Sequence, residues 1–160
     1  MPILTVLLSA APDVTRDAAI ADALTELTAD VLRKDRRLTS VAVGHVPDAQ
    51  WFVGGESLAT ARRASFFLDV RVTAGTNSHD EKARYIAAVV ARMRELLGAV
   101  HEASYVHVHE VSADAWGYAG VTQAQRHAAR LAPVEQEVTD PAGIPRRSAR
   151  TSAAGSRSRR

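Results

Sequence analysis

Pro2-Ile-Leu-Thr-Val-Leu-Leu8 opens the chain with a proline followed by an almost unbroken apolar run. A short run of this kind predicts a buried strand. Processing commonly removes Met1 before a residue as small as proline, which would leave a free secondary amine at the strand tip. Burial lowers the pKa of an amine because the charged form loses its water, so Pro2 is a candidate base. The alternative is that Pro2 merely starts a strand, where its missing N–H costs little.

Composition limits the class of protein. The 160 residues include no cysteine, which excludes disulfides, thiolate nucleophiles and Cys-containing metal sites. The length suits one domain, no apolar run approaches the roughly 18 residues of a membrane span, and we expect a cytoplasmic protein. Residues 1–132 are nearly neutral, with 14 Lys and Arg against 15 Asp and Glu. Residues 131–160 are basic and rich in Ser and Ala, which predicts a disordered tail with only weak, salt-sensitive attraction to nucleic acid.

One pattern of strand, helix, strand and hairpin occurs twice. Residues 13–33 and 78–97 place apolar side chains on one face at helical spacing, and Ser78-His-Asp-Glu81 is a capping-box pattern. Thr39-Ser-Val-Ala-Val-Gly-His-Val46 precedes Ser104-Tyr-Val-His-Val-His-Glu-Val111 by 65 positions, and the hairpins Trp51-Phe-Val-Gly-Gly55 and Trp116-Gly-Tyr-Ala-Gly120 keep that spacing. We therefore expect two tandem βαβ units, about residues 1–60 and 65–125, in one domain of residues 1–130.

Two such units predict an α+β fold whose four-stranded sheet carries two helices on one face. One strand is apolar at nearly every position, which predicts burial on both of its faces; its apolar residues are Phe66, Phe67, Leu68, Val70 and Val72. Two helices can cover only one face of the sheet. We therefore expect self-association, with three copies around an axis burying the other face.

Three short motifs carry a family resemblance: Met1-Pro2-Ile3, Leu38-Thr-Ser-Val41 and Phe52-Val-Gly-Gly-Glu56. In their order, spacing and duplication, the chain resembles the tautomerase superfamily over roughly residues 1–130. The double-length form resembles 4-oxalocrotonate tautomerase-like fused members, and Ser112-Ala-Asp-Ala-Trp116 is most similar to the decarboxylase group. The resemblance implies a cofactor-independent isomerase, a homotrimer, and Pro2 as the catalytic amine.

The chain also departs from that family's pattern. The arginine that follows the Leu-Thr-Ser-Val motif is replaced by Ala42 in the first unit and His107 in the second. A second family arginine, just before the helix, has no counterpart in residues 13–15 or in Gly75-Thr-Asn77. The hairpin aromatic of the family's apolar pocket corresponds to Trp51 and Trp116. Tyr118 stands near the position of the carboxylate that activates water in the dehalogenases.

A keto–enol tautomerase needs a base, a donor for the enolate oxygen and walls that exclude water. Pro2 is the expected base. The expected substrate-binding residues are His107 as the main donor, then Asn77, Arg71 and Tyr118, with Trp116 and Trp51 as walls. An alternative for His107 is a packed strand histidine without a chemical role.

His107-Val-His109 could also bind a metal ion, because alternate strand residues share a face and imidazoles are good ligands. The third ligand would have to be His45, Glu110 or Glu102. No motif completes that set, so we expect neither a metal nor another cofactor.

Three functions remain. The first is an isomerase of the tautomerase type that moves a proton on a small 2-oxo acid or related enol. The second is a decarboxylase or other lyase of the same superfamily, in which a protonated Pro2 would polarise the carbonyl. The third is a non-catalytic trimeric interaction protein whose basic tail binds acidic partners.

Overall fold

The computed structural model describes residues 1–132, so nearly all of the expected basic tail lies outside the described residues. Its elements follow in chain order: β1 (Ile3–Leu8), α1 (Val14–Asp30), β2 (Ser40–His45), β3 (Phe52–Val53), β4 (Glu56–Ser57), α2 (Leu58–Ala61), β5 (Phe66–Thr73), α3 (His79–Leu97), β6 (Tyr105–Val111), β7 (Gly117–Tyr118), β8 (Val121–Thr122) and α4 (Gln123–Leu131). Within residues 1–132 no helix combines the length and apolar character needed to cross a membrane.

The main sheet has the strand order β2-β1-β5-β6. β1 is parallel to β2 and β5 is parallel to β6, whereas β1 and β5 are antiparallel. The predicted α+β fold of two tandem βαβ units is confirmed. Because the units run in opposite directions, the start of β1 and the ends of β5 and β6 lie at the same end of the sheet.

The core lies between the sheet and the helices α1 and α3. Alternate strand residues face the helices and are fully buried: Leu4, Val6, Leu8, Phe66, Leu68, Val70 and Val72. The opposite face, which we call the open face, carries Phe67, Asp69 and Arg71 from β5. The prediction that β5 is apolar on both faces is therefore wrong except for Phe67, because strand alternation turns the other apolar residues to one side.

Both long helices begin with a side-chain cap. Asp13 Oδ1 accepts a hydrogen bond from the Arg16 amide at 3.0 Å at the start of α1. The predicted capping box of α3 is confirmed, since Ser78 and Glu81 each accept the other's amide. These bonds satisfy N–H groups that have no partner within the helix.

A buried hydrogen bond joins the two long helices. The Thr28 hydroxyl donates to the Leu24 carbonyl at 2.7 Å and therefore accepts from the Tyr85 hydroxyl at 2.9 Å. Tyr85 is fully buried, and burial raises its pKa to about 12, so the phenol stays protonated and available as a donor.

We expect Thr28→Val to destabilise the protein more than Tyr85→Phe. Thr28→Val leaves the buried Tyr85 hydroxyl without an acceptor, which costs about 1–3 kcal/mol. Tyr85→Phe removes that hydroxyl itself, so no buried donor is left unpaired and the loss is about 1 kcal/mol. Urea unfolding of the two variants measures the difference. Equal losses, or a larger loss for Tyr85→Phe, would contradict the assigned direction of the bond.

Candidate active site

Pro2 lies at the start of β1, at the end of the sheet where β5 and β6 finish. Its side chain is buried, and its carbonyl accepts the Ser40 amide of β2 at 3.3 Å. The residues after α1 and those before α3 meet at this end, because Lys34 Nζ donates to Thr76 Oγ1 at 2.7 Å. The fold thus places the amino terminus among the ends of several elements.

The local environment favours the neutral form of an amine. Burial holds the pKa of the Met1 amino group below its ordinary value, and the charges of Lys34 and Arg130 lower it further. Asp35 acts in the opposite direction with a smaller effect. A base at this position would be less protonated near neutral pH than an amine in water.

Lys34 is a cation of this site that the sequence analysis did not select. It follows α1, and its ammonium is partly desolvated, which lowers its pKa against the opposing effects of Glu81 and Glu110. Of the charges acting on the Met1 amine it has the largest effect. The position of Lys34 in the sequence could have indicated this. It directly follows the helix of a βαβ unit, and that segment returns to the end of the sheet where the first strand of the unit began.

Arg71, one of the expected substrate-binding residues, lies on the strand next to the amino terminus. Its Cα is the cross-strand partner of Ile3, and its side chain is about half exposed on the open face. Arg71 Nε donates to Asp69 Oδ2 at 2.9 Å. That bond orients the guanidinium and leaves its two terminal nitrogens for other contacts.

His107 is not next to Pro2 in the same chain. It pairs with Asp69 of β5, so two strand spacings, about 10 Å, separate it from β1. Inside one chain it therefore cannot hydrogen-bond a small substrate held at Pro2. Within one chain 56% of its side chain is exposed, so it is not packed in the core between the sheet and the helices.

Asn77 lies at the same end of the sheet as Pro2, but its side chain forms structural hydrogen bonds. Its amide nitrogen donates to the Leu32 carbonyl at 2.9 Å and to Glu81 Oε2 at 3.3 Å. Both amide hydrogens are thereby engaged, and the side chain ties the end of α1 to the start of α3. Asn77 has no donor left for a substrate oxygen.

The two tryptophan hairpins lie at opposite ends of the sheet. Trp51 follows β2, whose last residue pairs with Leu8, so it is separated from Pro2 by roughly the 20 Å length of β1. Trp116 and Tyr118 follow β6, which finishes at the same end of the sheet as Pro2. The Arg126 guanidinium lies 3.8 Å from the centre of the Tyr118 ring. Within one chain, only the second hairpin is at the end of the sheet that carries Pro2.

Two cations lie near the amino terminus, whose surroundings favour a neutral amine. Lys34 lowers the pKa of the Met1 amine, and Arg71 lies opposite Ile3 on the adjacent strand. The family arginines are missing from their usual positions, yet positive charge is still present at this end of the sheet.

Comparisons with known proteins agree with this fold. A family model described as tautomerase enzyme matches residues 2–61, and no curated protein matches the chain. A native fused 4-OT is 25% identical with a TM-score of 0.68, over 76% of this chain and 96% of that one. A fused 4-OT, Q0, described as a symmetric trimer, is 18% identical with a TM-score of 0.69, over 78% and 98%.

A third structure belongs to another branch. N1, a member of the cis-3-chloroacrylic acid dehalogenase family, is 22% identical with a TM-score of 0.64, over 75% of this chain and 82% of that one. The first βαβ unit thus matches the tautomerase family in sequence, and both units together have the fold of the fused proteins. The chain is therefore similar to the tautomerase family over residues 2–61 in sequence, and to a fused 4-OT over both βαβ units in fold.

Proposed function

We propose that the protein is a cofactor-independent isomerase that transfers a proton between the enol and keto forms of a small 2-oxo acid. Pro2, freed by removal of Met1, is the base. The observation that carries the proposal is the environment of the amino terminus: Pro2 is buried, and burial and Lys34 lower the pKa of the Met1 amine next to it.

The reaction needs only proton transfers. The neutral Pro2 nitrogen takes the proton from the enol hydroxyl, the negative charge spreads over the enolate, and the protonated amine returns the proton to carbon. Lys34 and Arg71 bind the carboxylate and stabilise the enolate charge as it develops. Partial desolvation of Lys34 strengthens its electrostatic contact with the substrate.

The direction of the pKa shift favours the isomerase over the decarboxylase. A decarboxylase of this superfamily would use protonated Pro2 as an acid, whereas burial and Lys34 lower the pKa of the neighbouring Met1 amine and so favour a neutral amine at this end of the chain. A neutral amine is the form that a tautomerase requires.

We further propose a homotrimer with sites shared between chains. β3–β4 and β7–β8 are isolated two-stranded hairpins whose edges have no partner strand within residues 1–132, and Phe52 on β3 is 61% exposed. Unpaired edges and exposed aromatics are typical of surfaces that pair with another copy. Since Trp51 is remote from Pro2 of its own chain, it can wall a site only in a neighbouring chain. The trimeric fused 4-OT relatives support this assembly.

The mature protein should lack Met1, and Pro2→Ala should reduce kcat/KM for ketonisation of the enol of phenylpyruvate. A general base contributes about 10²–10⁴-fold, and alanine retains a primary amine, so we expect a loss near the lower limit, about 100-fold. Intact mass and ultraviolet assays provide the measurements.

A control distinguishes loss of the Pro2 amine from loss of the folded structure. An additional uncleaved residue before Pro2 converts its nitrogen into an amide without basicity, and should abolish turnover while circular dichroism is unchanged. Full activity in either variant would exclude Pro2 as the base. If no enol is converted by the parent protein, the interaction-protein alternative becomes the better explanation.

Lys34→Gln and Arg71→Gln should each raise KM for the 2-oxo acid more than they lower kcat, because they remove binding that substrate and transition state share. Lys34→Gln should also raise the pKa of the acid limb of the kcat/KM profile, since a positive charge near Pro2 is lost. Arg36→Gln is the matched control, because Arg36 pairs with Asp22 and Glu26 on the side of α1. A KM effect of Arg36→Gln as large as that of Lys34→Gln would indicate general steering instead of a binding site.

Phe52→Asp should weaken the trimer, whereas Val14→Asp should not. Both residues are exposed apolar side chains, at 61% and 88%, but Val14 begins α1 on the helix side of the sheet. Sedimentation velocity over a concentration series distinguishes the two variants. A parent protein that stays monomeric at micromolar concentration would contradict the assembly.

A further inference from the structure

A cluster of two histidines and one carboxylate lies on the open face, away from Pro2. Asp69, His107 and His109 each offer one ligand atom, and these atoms lie within 4.8 Å of one another. The pairing of β5 with β6 brings them together, because Asp69 is opposite His107 and Arg71 is opposite His109. All three side chains project from the same face of the sheet.

Asp69 is the unusual member of this cluster. It is only 8% exposed, and among residues 1–132 its Oδ1 has no hydrogen-bond donor. His107 Nδ1 lies 3.1 Å from this oxygen without forming a hydrogen bond to it. A buried carboxylate oxygen without a donor is costly, so a cation at this position would stabilise the fold.

The histidines are arranged to converge. The His107 and His109 rings are stacked, with centroids 5.2 Å apart and an angle of 26° between their planes. His107 is more than half exposed, so its ring can turn toward an ion without rebuilding the core.

The third ligand is none of the residues considered from the sequence. Glu110 follows His109, so it points to the opposite face, where it accepts from Lys82 at 2.8 Å. His45 is held on β2 by the Ala10 carbonyl and Asp17. Glu102 precedes β6. Asp69 was missed because the sequence does not show which β5 residue pairs with His107.

We propose that Asp69, His107 and His109 form a binding site for one divalent transition-metal ion such as Zn²⁺. Two imidazoles and one carboxylate suit Zn²⁺, Co²⁺ or Ni²⁺ and do not suit Mg²⁺ or Ca²⁺, which prefer oxygen ligands. The ion would be held by three protein ligands and would keep open positions, as in sites that bind water or an exogenous carboxylate. Arg71, which shares Asp69, opposes the ion by its charge and limits its affinity.

The experiment uses the full chain without an affinity tag, freed of metal by a chelator and dialysis. Titration with ZnCl₂ in a calorimeter, and with CoCl₂ followed by visible absorption, should give one ion per chain. His107→Gln and His109→Gln should each weaken binding at least about tenfold, because loss of a direct ligand should cost no less than loss of a supporting contact. His79→Gln, which changes an exposed histidine at the start of α3, should leave the affinity unchanged.

A pair of variants on one ion pair tests the role of charge. Asp69→Asn and Arg71→Gln both break the Arg71–Asp69 contact, yet they should act in opposite directions. Asp69→Asn removes a ligand charge and should weaken Zn²⁺ binding, whereas Arg71→Gln removes a like charge and should strengthen it. The proposal is overturned if the parent binds no Zn²⁺ at millimolar concentration. It is equally overturned if the His107 and His109 variants bind as tightly as the parent, or if both Asp69→Asn and Arg71→Gln weaken binding equally.

Discussion

The antiparallel pairing of β1 with β5 is the contact on which the remaining structure depends. It joins two βαβ units that are each too small to bury a core alone, and its register aligns Leu4, Val6 and Leu8 with Val70, Leu68 and Phe66. The same register sets Ile3 opposite Arg71. A slip of one residue would turn the buried row to the open face and move Arg71 to the helix side, so one hydrophobic constraint fixes both the core and the site.

Because the two units run in opposite directions, the candidate site residues are separated between the two ends of the sheet. The start of β1 and the ends of β5 and β6 meet, which gathers Pro2, Lys34 and Arg71. The first hairpin with Trp51 is directed to the other end. A proline amine exists in only one of the units, because the corresponding strand of the second unit lies inside the chain. Of the two units, only the first can therefore present an amino-terminal proline.

Two cations lie near the amino terminus, although the chain lacks the arginines of the tautomerases that it resembles. Lys34 is partly desolvated and acts on the amino terminus more strongly than any other charge. Arg71 supplies a second positive group from the adjacent strand and is oriented by Asp69. Asp69 has two different neighbours, Arg71 on one oxygen and His107 near the other. This buried carboxylate connects the catalytic end of the sheet with the histidine pair on the open face.

The sequence by itself determined the local features. Apolar periodicity located the helices and strands, the Ser78 and Glu81 pattern located a helix cap, and repetition at 65 positions established two units. Only the tertiary structure decided which side chains meet. Pairing across strands depends on register and orientation, which arise from burial of the whole core and not from neighbours along the chain. For that reason Arg71 and Lys34 lie near the amino terminus, whereas His107 pairs with Asp69 two strands away from β1. Asn77 hydrogen-bonds the Leu32 carbonyl and Glu81.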